Sequence, residues 1–152
     1  MTAEDIILTV QQVNQRLPLV RAIVRDVVGL KADVVERQSR LQELRDLHPV
    51  SESEQTPWAE EVTAMQDGLA EDELRLIVFE SELEDVGGIL ADARVGLVEF
   101  ASEIDGRSVV LSWLPGESEV SYWRELSDAI TERRPLLQGV ADMTVQEFRA
   151  ET

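Results

Sequence analysis

Apolar residues recur at steps of three and four, or at their sum of seven, along the first third of the chain. The positions that follow this spacing are Val10, Val13, Leu17, Val20, Val24, Val27, Val34 and Leu41. Steps of three and four place side chains on one face of an α-helix. The pattern therefore predicts a long helix, which we expect to end near Leu47, ahead of His48 and Pro49.

Two residues near the start of this stripe affect where the helix begins. The Thr9 hydroxyl can accept a hydrogen bond from a free amide of the first turn, so we expect Thr9 to cap the helix. Pro18 has no amide hydrogen and disfavours a helix interior. We therefore expect a short helix, a break or kink near Leu17, and then the long helix.

A second apolar stripe follows a short polar stretch. Thr56 and Pro57 have the form of a helix cap followed by proline at the first helical position. Gly87-Gly88 supplies a stop. The stripe between them consists of Trp58, Val62, Met65, Leu69, Leu76, Phe79, Leu83 and Val86.

A short connector makes the two helices antiparallel neighbours, so residues at one level should have numbers that sum to about 105. This relation predicts a cross-helix ion pair between Lys31 and Asp72, the charged exceptions on their stripes, which would fix the register. The same relation predicts apolar contacts within the pairs Leu41 and Met65, Val34 and Leu69, Val27 and Phe79, and Val20 and Val86.

After Gly88 the pattern alternates as in strands. Four short strands are predicted, over 89–92, 97–101, 108–114 and 119–123. Asp105-Gly106 favours a tight hairpin turn, and Pro115-Gly116 favours another turn. In an alternative interpretation, Ser118 or Ser121 caps a helix that runs through Leu126. After the fourth strand, residues 126–132 are expected to form a short helix, and residues 144–150 a terminal turn.

These elements predict an α+β fold, mainly α, in which a small antiparallel β-meander packs at the open end of a long antiparallel helical hairpin. We expect a single domain over 1–152. Residues 1–87 would form the hairpin part, and residues 88–152 the meander with a C-terminal helical segment.

Charge and composition narrow the classes of partner. The 152 residues include 31 acidic and 14 basic side chains, for a formal charge of −17. Such a surface repels nucleic acid and anionic lipid, so neither nucleic acid nor a membrane is an expected partner. No apolar run reaches the ~20 residues that span a bilayer, and the acidic start Met1–Asp5 is unlike a targeting signal. We therefore expect a cytoplasmic location.

The common catalytic and cofactor motifs are missing from the sequence. It contains no glycine-rich phosphate loop, no cysteine, and one histidine, His48. A multi-histidine or cysteine zinc site within one chain is thereby excluded, and no metal or cofactor is expected. No catalytic residue can be assigned, and the sequence favours a protein that is not an enzyme.

One stretch concentrates aromatic and charged side chains. The candidate ligand-binding residues are Trp113, Glu117, Tyr122, Trp123, Arg124 and Arg133. Aromatic rings offer flat contact area, and arginine forks onto carboxylates or phosphates. Alternatively, the aromatic rings are core and the arginines pair with the abundant acids.

Nearly the whole chain resembles the bacterial proteins of uncharacterised domain family 2203, whose activity has no established description. The resemblance is carried by Thr9, Asn14, Leu17, Pro18, Leu19, Val20, Asp92, Gly96, Leu97, Val98, Phe100, Gly106, Val109, Leu111, Trp113, Gly116, Glu117, Tyr122, Trp123, Arg133 and Pro135. Ser112 stands where the family pattern has cysteine, Arg124 where it has histidine, Glu99 where it has aspartate and Ala91 where it has lysine. The resemblance implies a bacterial protein, and these departures make metal chemistry less expected here.

Two functions are compatible with these features. The first is a protein–protein interaction or self-associating structural module, as a homodimer or with a protein partner, using a second helix stripe of Ile23, Leu30 and Leu44. The alternative is a small-molecule-binding protein or enzyme, with Glu117 as acid/base or anchor and Arg124 or Arg133 holding an anion.

Overall fold

The fold is a two-helix hairpin followed by a five-stranded antiparallel sheet. The computed structural model describes residues 6–47 and 57–136. Neighbouring strands along the chain are neighbours in the sheet, in the order β1-β2-β3-β4-β5. The predicted α+β class, mainly α with a meander, is confirmed. The elements are α1 (Val10–Leu47), α2 (Pro57–Asp85), β1 (Gly88–Asp92), β2 (Leu97–Ile104), β3 (Arg107–Trp113), β4 (Tyr122–Glu125) and β5 (Arg134–Pro135).

The start of α1 is closed by a reciprocal cap. The Gln12 amide donates to Thr9 Oγ1 at 3.1 Å, and the Thr9 amide donates to Gln12 Oε1 at 2.9 Å. Two amides of the first turn therefore gain acceptors. The prediction that Thr9 caps this helix is confirmed.

Pro18 does not end the helix, contrary to the predicted break near Leu17. The helix is continuous through Pro18, which lies on its exposed side. There, water can solvate the Asn14 carbonyl that proline leaves without a donor. Leu17 and Val20, on the opposite side, are 1% and 0% exposed. Core packing on both sides of the proline outweighs its unfavourable helix propensity.

The C-terminal end of α2 is held by a residue of α1. Arg16 Nη1 donates to the Val86 carbonyl at 2.7 Å, supplying a donor that the helix end lacks. Gly87 follows with φ 91°, the left-handed conformation in which glycine commonly ends helices. The predicted stop is confirmed, as is the start of α2 at Pro57, whereas Thr56 lies outside the described residues.

The predicted stripes of the two helices form their interface. All eight stripe residues of α1 are buried. Near the connector, Val34 and Leu41 cluster with Leu69 and Met65, and towards the open end Val27 shares a cluster with Phe79. This grouping agrees with the predicted register.

The predicted ion pair between Lys31 and Asp72 is wrong. Asp72 instead binds Arg37 of α1 and, at 3.3 Å, Arg75 of its own helix. Helix side chains lean towards the N-terminus of their own helix. Arg37 therefore leans back to the level of Asp72, whereas Lys31 leans further away from it. Gln38 also donates a hydrogen bond to Glu73 at 3.1 Å. As in the pair of Arg37 and Asp72, the two residue numbers sum to more than 105.

The segment 126–132 forms turns, not the predicted short helix. The Asp128 amide donates to the Glu125 carbonyl and the Glu132 amide to that of Ala129, each three residues back. The Asp128 carboxylate also accepts the Glu125 amide, an alternative to helical bonding. The alternative helix through Leu126 is excluded by β4, and the predicted turn over 144–150 lies outside the described residues.

The sheet covers the open end of the hairpin with one face. Phe100, Leu111 and Trp113 are at most 1% exposed and pack in one cluster with Val13 and Leu17 of α1. Strand alternation sends the intervening residues to the other face. Glu99 and Ser112, directly paired across β2 and β3, lie on that outer face. Most of the predicted site residues lie on or beside it.

Candidate functional site

Glu117 and Arg133 form the centre of a polar network at the edge of the outer sheet face. Arg133 Nη1 and Nη2 donate to the two Glu117 carboxylate oxygens, each at 2.8 Å. Arg133 Nε donates to Ser112 Oγ at 3.0 Å, and Nη2 also reaches the Ser112 carbonyl at 3.2 Å. All three guanidinium nitrogens are therefore engaged within the protein.

The same network includes two of the predicted aromatic residues. The Trp113 indole N–H donates to the Glu117 carbonyl at 3.0 Å, and the Leu114 amide donates to Glu117 Oε1 at 2.9 Å. The Arg133 guanidinium lies 4.1 Å from the centre of the Tyr122 ring. Trp113, Glu117, Tyr122 and Arg133 are thus brought together, and Glu117 fixes the turn that follows β3.

Arg124 belongs to a separate ion pair with Glu99. Its Nε and Nη2 donate to the Glu99 carboxylate at 2.6 and 2.9 Å, and Nη1 donates to the carbonyls of Glu125 and Asp128. The side chains are 12% and 8% exposed. The hydrogen bonds to Glu99 raise the pKa of Arg124.

Trp123 lies on the opposite face from Tyr122 and Arg124. It is paired with Leu111 in the sheet and packs against the main core. Arg134 lies 5.5 Å from the centre of its ring and binds Asp128 at 2.9 Å. This hydrogen bond lowers the pKa of Asp128.

Sequence reasoning missed the partners of the predicted arginines, which are Glu99, Ser112 and Asp128. The signal for Glu99 was available, because a charge inside the apolar run of β2 is buried only with a partner. Nothing local indicated that the partner would be Arg124, which is 25 residues away. Strand pairing decides it.

Three positions at which the sequence differs from the pattern it resembles are neighbours in this region. Ser112 is paired with Glu99 across β2 and β3, and Arg124 binds Glu99. Glu99 therefore contacts both of the other residues.

The charged groups of this region are paired with one another. Glu117, Arg124 and Arg133 satisfy one another or Glu99 in two-point pairs. Within 6–47 and 57–136, no three His, Cys, Asp or Glu side chains converge so that they could hold a metal ion.

The second stripe proposed for α1 is largely used within the chain. Ile23 is 6% exposed and belongs to the main core, and Leu30 packs against the cluster of Val34 and Leu69. The expectation of a free stripe there is not supported by this packing.

A different helix surface is exposed. Leu74, Ile77 and Val78 of α2 are 64%, 59% and 56% exposed. Their spacing of three and four places them side by side on the helix face opposite Leu69 and Leu83. We call these three residues the α2 patch.

No helix of the described segments is long and apolar enough to cross a bilayer.

Comparison with known proteins gives a family but no activity. The model of the family described as uncharacterized conserved protein (DUF2203) matches residues 7–136. Neither the curated proteins nor the solved structures contain a significant match. Any inference about the function of this chain therefore rests on its geometry.

Proposed function

Because the chain belongs to the uncharacterized conserved protein family DUF2203, whose description gives no activity, we propose a function from its surface. The protein is a protein–protein interaction module. Its α2 patch binds a partner segment that has an apolar centre and basic flanks. The observation that carries this proposal is the exposure of Leu74, Ile77 and Val78 within an acidic surround.

The apolar part of this surface is contiguous. Residues three and four apart on a helix are neighbours, so the three side chains form one patch and not isolated exposed positions. Single exposed apolar residues are common, whereas adjacent large ones mark contact sites. The opposite face of α2 already packs on α1, so it is the outer face that remains available.

The charge around the patch favours a basic partner. A helix turns about 100° per residue, which places several exposed carboxylates beside or in line with the patch. The one arginine of α2, Arg75, already binds Asp72. A second copy would bring the same acids against each other, which costs free energy, so self-association is the competing outcome. The acidic residues concerned are Asp67, Glu71, Glu82, Glu84 and Asp85.

The alternative, a small-molecule site or enzyme near Glu117 and Arg124, has less support. Both side chains are held in two-point ion pairs with Arg133 and Glu99, so neither has a free charged group for a ligand. The bacterial origin and cytoplasmic location expected from the sequence stay predictions.

A peptide titration tests the proposal. The probe is a fluorescent amphipathic helical peptide with leucines at i, i+3, i+4 and i+7 and lysines on both flanks. The test variant carries Leu74→Gln, Ile77→Gln and Val78→Gln, which remove apolar area without changing charge. The control carries Leu19→Gln, Val35→Gln and Leu126→Gln, at positions that are also exposed.

We expect the patch variant to bind the peptide about a hundredfold more weakly, since three lost aliphatic contacts at about 1 kcal/mol each remove about 3 kcal/mol of binding free energy. The control variant should bind like the parent protein. If both variants bind the peptide equally well, the peptide is held by non-specific charge attraction and the proposal is refuted. Sedimentation that reveals a dimer abolished by the patch variant would assign the patch to a second copy instead.

A further inference from the structure

A groove lies between α1 and the two turns that flank β2 and β3. Its volume is about 370 Å³, within the range of small-molecule sites. Arg21, Val24, Arg25 and Val28 of α1 line one side, and Val95 and Pro115 line the other. We call this space the α1 groove. It shares no residue with the α2 patch, so a ligand in the groove is independent of a partner on the patch.

The groove is shaped by a glycine that lets three segments meet. Gly96 has φ 79°, and a Cβ built on it would lie 2.6 Å from Val24 Cγ1, 2.8 Å from Pro115 Cγ and 2.9 Å from Val28 Cγ2. The turn between β1 and β2 is therefore packed against both walls. A side chain at position 96 would push them apart.

The second wall is fixed by the Glu117 network. Glu117 accepts the Leu114 amide through its carboxylate and the Trp113 indole through its carbonyl, while Arg133 holds the carboxylate from behind. These bonds set the turn that carries Pro115. Trp113 also lines the groove. The pocket is therefore preformed, which lowers the entropy cost of binding.

Two arginines lie one helical turn apart at this groove. Arg21 Nη2 donates to the Ser118 carbonyl, and within the described ranges its Nε and Nη1 have no hydrogen-bond acceptor. The carboxylate beside Arg25 is that of its neighbour Asp26, at 3.8 Å, and the Arg25 side chain is 79% exposed. Both guanidinium groups therefore have N–H donors that can bind an anion.

We propose that the α1 groove binds a small organic monocarboxylate with an apolar body. The walls of valine, proline and tryptophan suit a hydrocarbon or aromatic body, and guanidinium groups suit a carboxylate through paired donors. The strongly negative protein repels larger polyanions, so a single carboxylate matches the local charge better than an extended phosphate chain.

Chemical-shift titration of the ¹⁵N-labelled protein tests this site. The probes are 2-naphthoate, 3-phenylpropionate and octanoate, with 2-naphthylmethanol as an uncharged analogue of the first. The test variants are Arg25→Gln, which removes one cation, and Val95→Glu, which adds a carboxylate at an exposed wall position. The control is Arg40→Gln, which makes the same charge change elsewhere on exposed α1.

At least one carboxylate should give saturable shifts of the amides near Val24, Val95 and Trp113. Its Kd should rise about tenfold in Arg25→Gln and more in Val95→Glu, and stay unchanged in Arg40→Gln. The alcohol should bind more weakly than the naphthoate. The proposal is overturned if no probe saturates at millimolar concentration, or if Arg25→Gln and Arg40→Gln bind alike.

Discussion

The Arg133 guanidinium and the Glu117 carboxylate meet in a two-point fork, with both N–O distances at 2.8 Å. The two residues are 16 positions apart, and the side chains are 18% and 21% exposed. Their pairing joins the chain after β4 to the turn after β3. Two of the charged residues in the aromatic stretch are therefore partners of each other.

Glu117→Gln should destabilise the fold by about 1–3 kcal/mol, because Arg133 and the Leu114 amide lose a charged acceptor. Urea unfolding measures this change. Glu119→Gln removes a neighbouring exposed charge and should change stability by less than about 0.5 kcal/mol. In a double-mutant cycle with Arg133→Met, additive effects would contradict a direct pair.

Glu99 and Arg124 should show a larger coupling, since they are the more buried pair. Replacing either one alone, as Glu99→Leu or Arg124→Met, leaves a desolvated charge and should cost about 3 kcal/mol or more. The double replacement should recover most of that loss, because it removes both charges. Unfolding by urea tests both statements, and a double variant as unstable as the sum of the singles would refute them.

Much of the fold was predictable because its signals are local or periodic. The eight-residue stripe of α1 indicated the helix and its buried face, and Asp105-Gly106 indicated the hairpin between β2 and β3. The errors arose where distant packing or side-chain direction decides. Pro18 is tolerated because its helix is held by the core, and Asp72 binds Arg37 because both side chains lean along their helices.

The site was less predictable than the fold. Nearness in sequence correctly grouped Trp113, Glu117 and Tyr122 with Arg133, yet it could not show that their polar groups bind one another. It also placed Trp123 and Arg124 in one cluster, although strand alternation sends them to opposite faces. The groove arginines, Arg21 and Arg25, carry no motif at all.

The ion pair at Asp72 should make stability depend on acid pH. The hydrogen bond from Arg37 lowers the pKa of Asp72 below its ordinary value of 3.8 in the folded chain. The folded state then binds fewer protons than the unfolded state. The stabilisation is complete above pH 3.8 and is lost as pH falls through the lower folded value.

Asp72→Asn tests this dependence because it mimics a permanently neutral side chain. The urea midpoint of the parent protein should exceed that of Asp72→Asn near neutral pH, and the gap should close below about pH 4. Asp67→Asn, which removes an exposed carboxylate of the same helix, controls for net charge. A gap that stays constant down to about pH 2 would contradict the assignment.

Gly96→Ala should destabilise the protein more than Gly106→Ala. Both glycines have φ 79°, but a Cβ at Gly106 would meet no atom within 4 Å, whereas one at Gly96 would meet Val24 and Pro115. Gly106→Ala therefore measures backbone strain alone, about 1 kcal/mol. Thermal unfolding should show an extra loss for Gly96→Ala of about 1–3 kcal/mol. Equal losses of stability in the two variants would mean that Val24 and Pro115 can move away from the new Cβ without cost.

The most direct test of the interaction role is an NMR map of where the basic amphipathic peptide binds. Titrating it into the ¹⁵N-labelled protein should shift the amides around Leu74, Ile77 and Val78 and saturate at one equivalent. Those shifts should disappear in the glutamine triple variant of the α2 patch. Shifts spread over all acidic surfaces, or centred away from α2 and unchanged in that variant, would contradict the proposal.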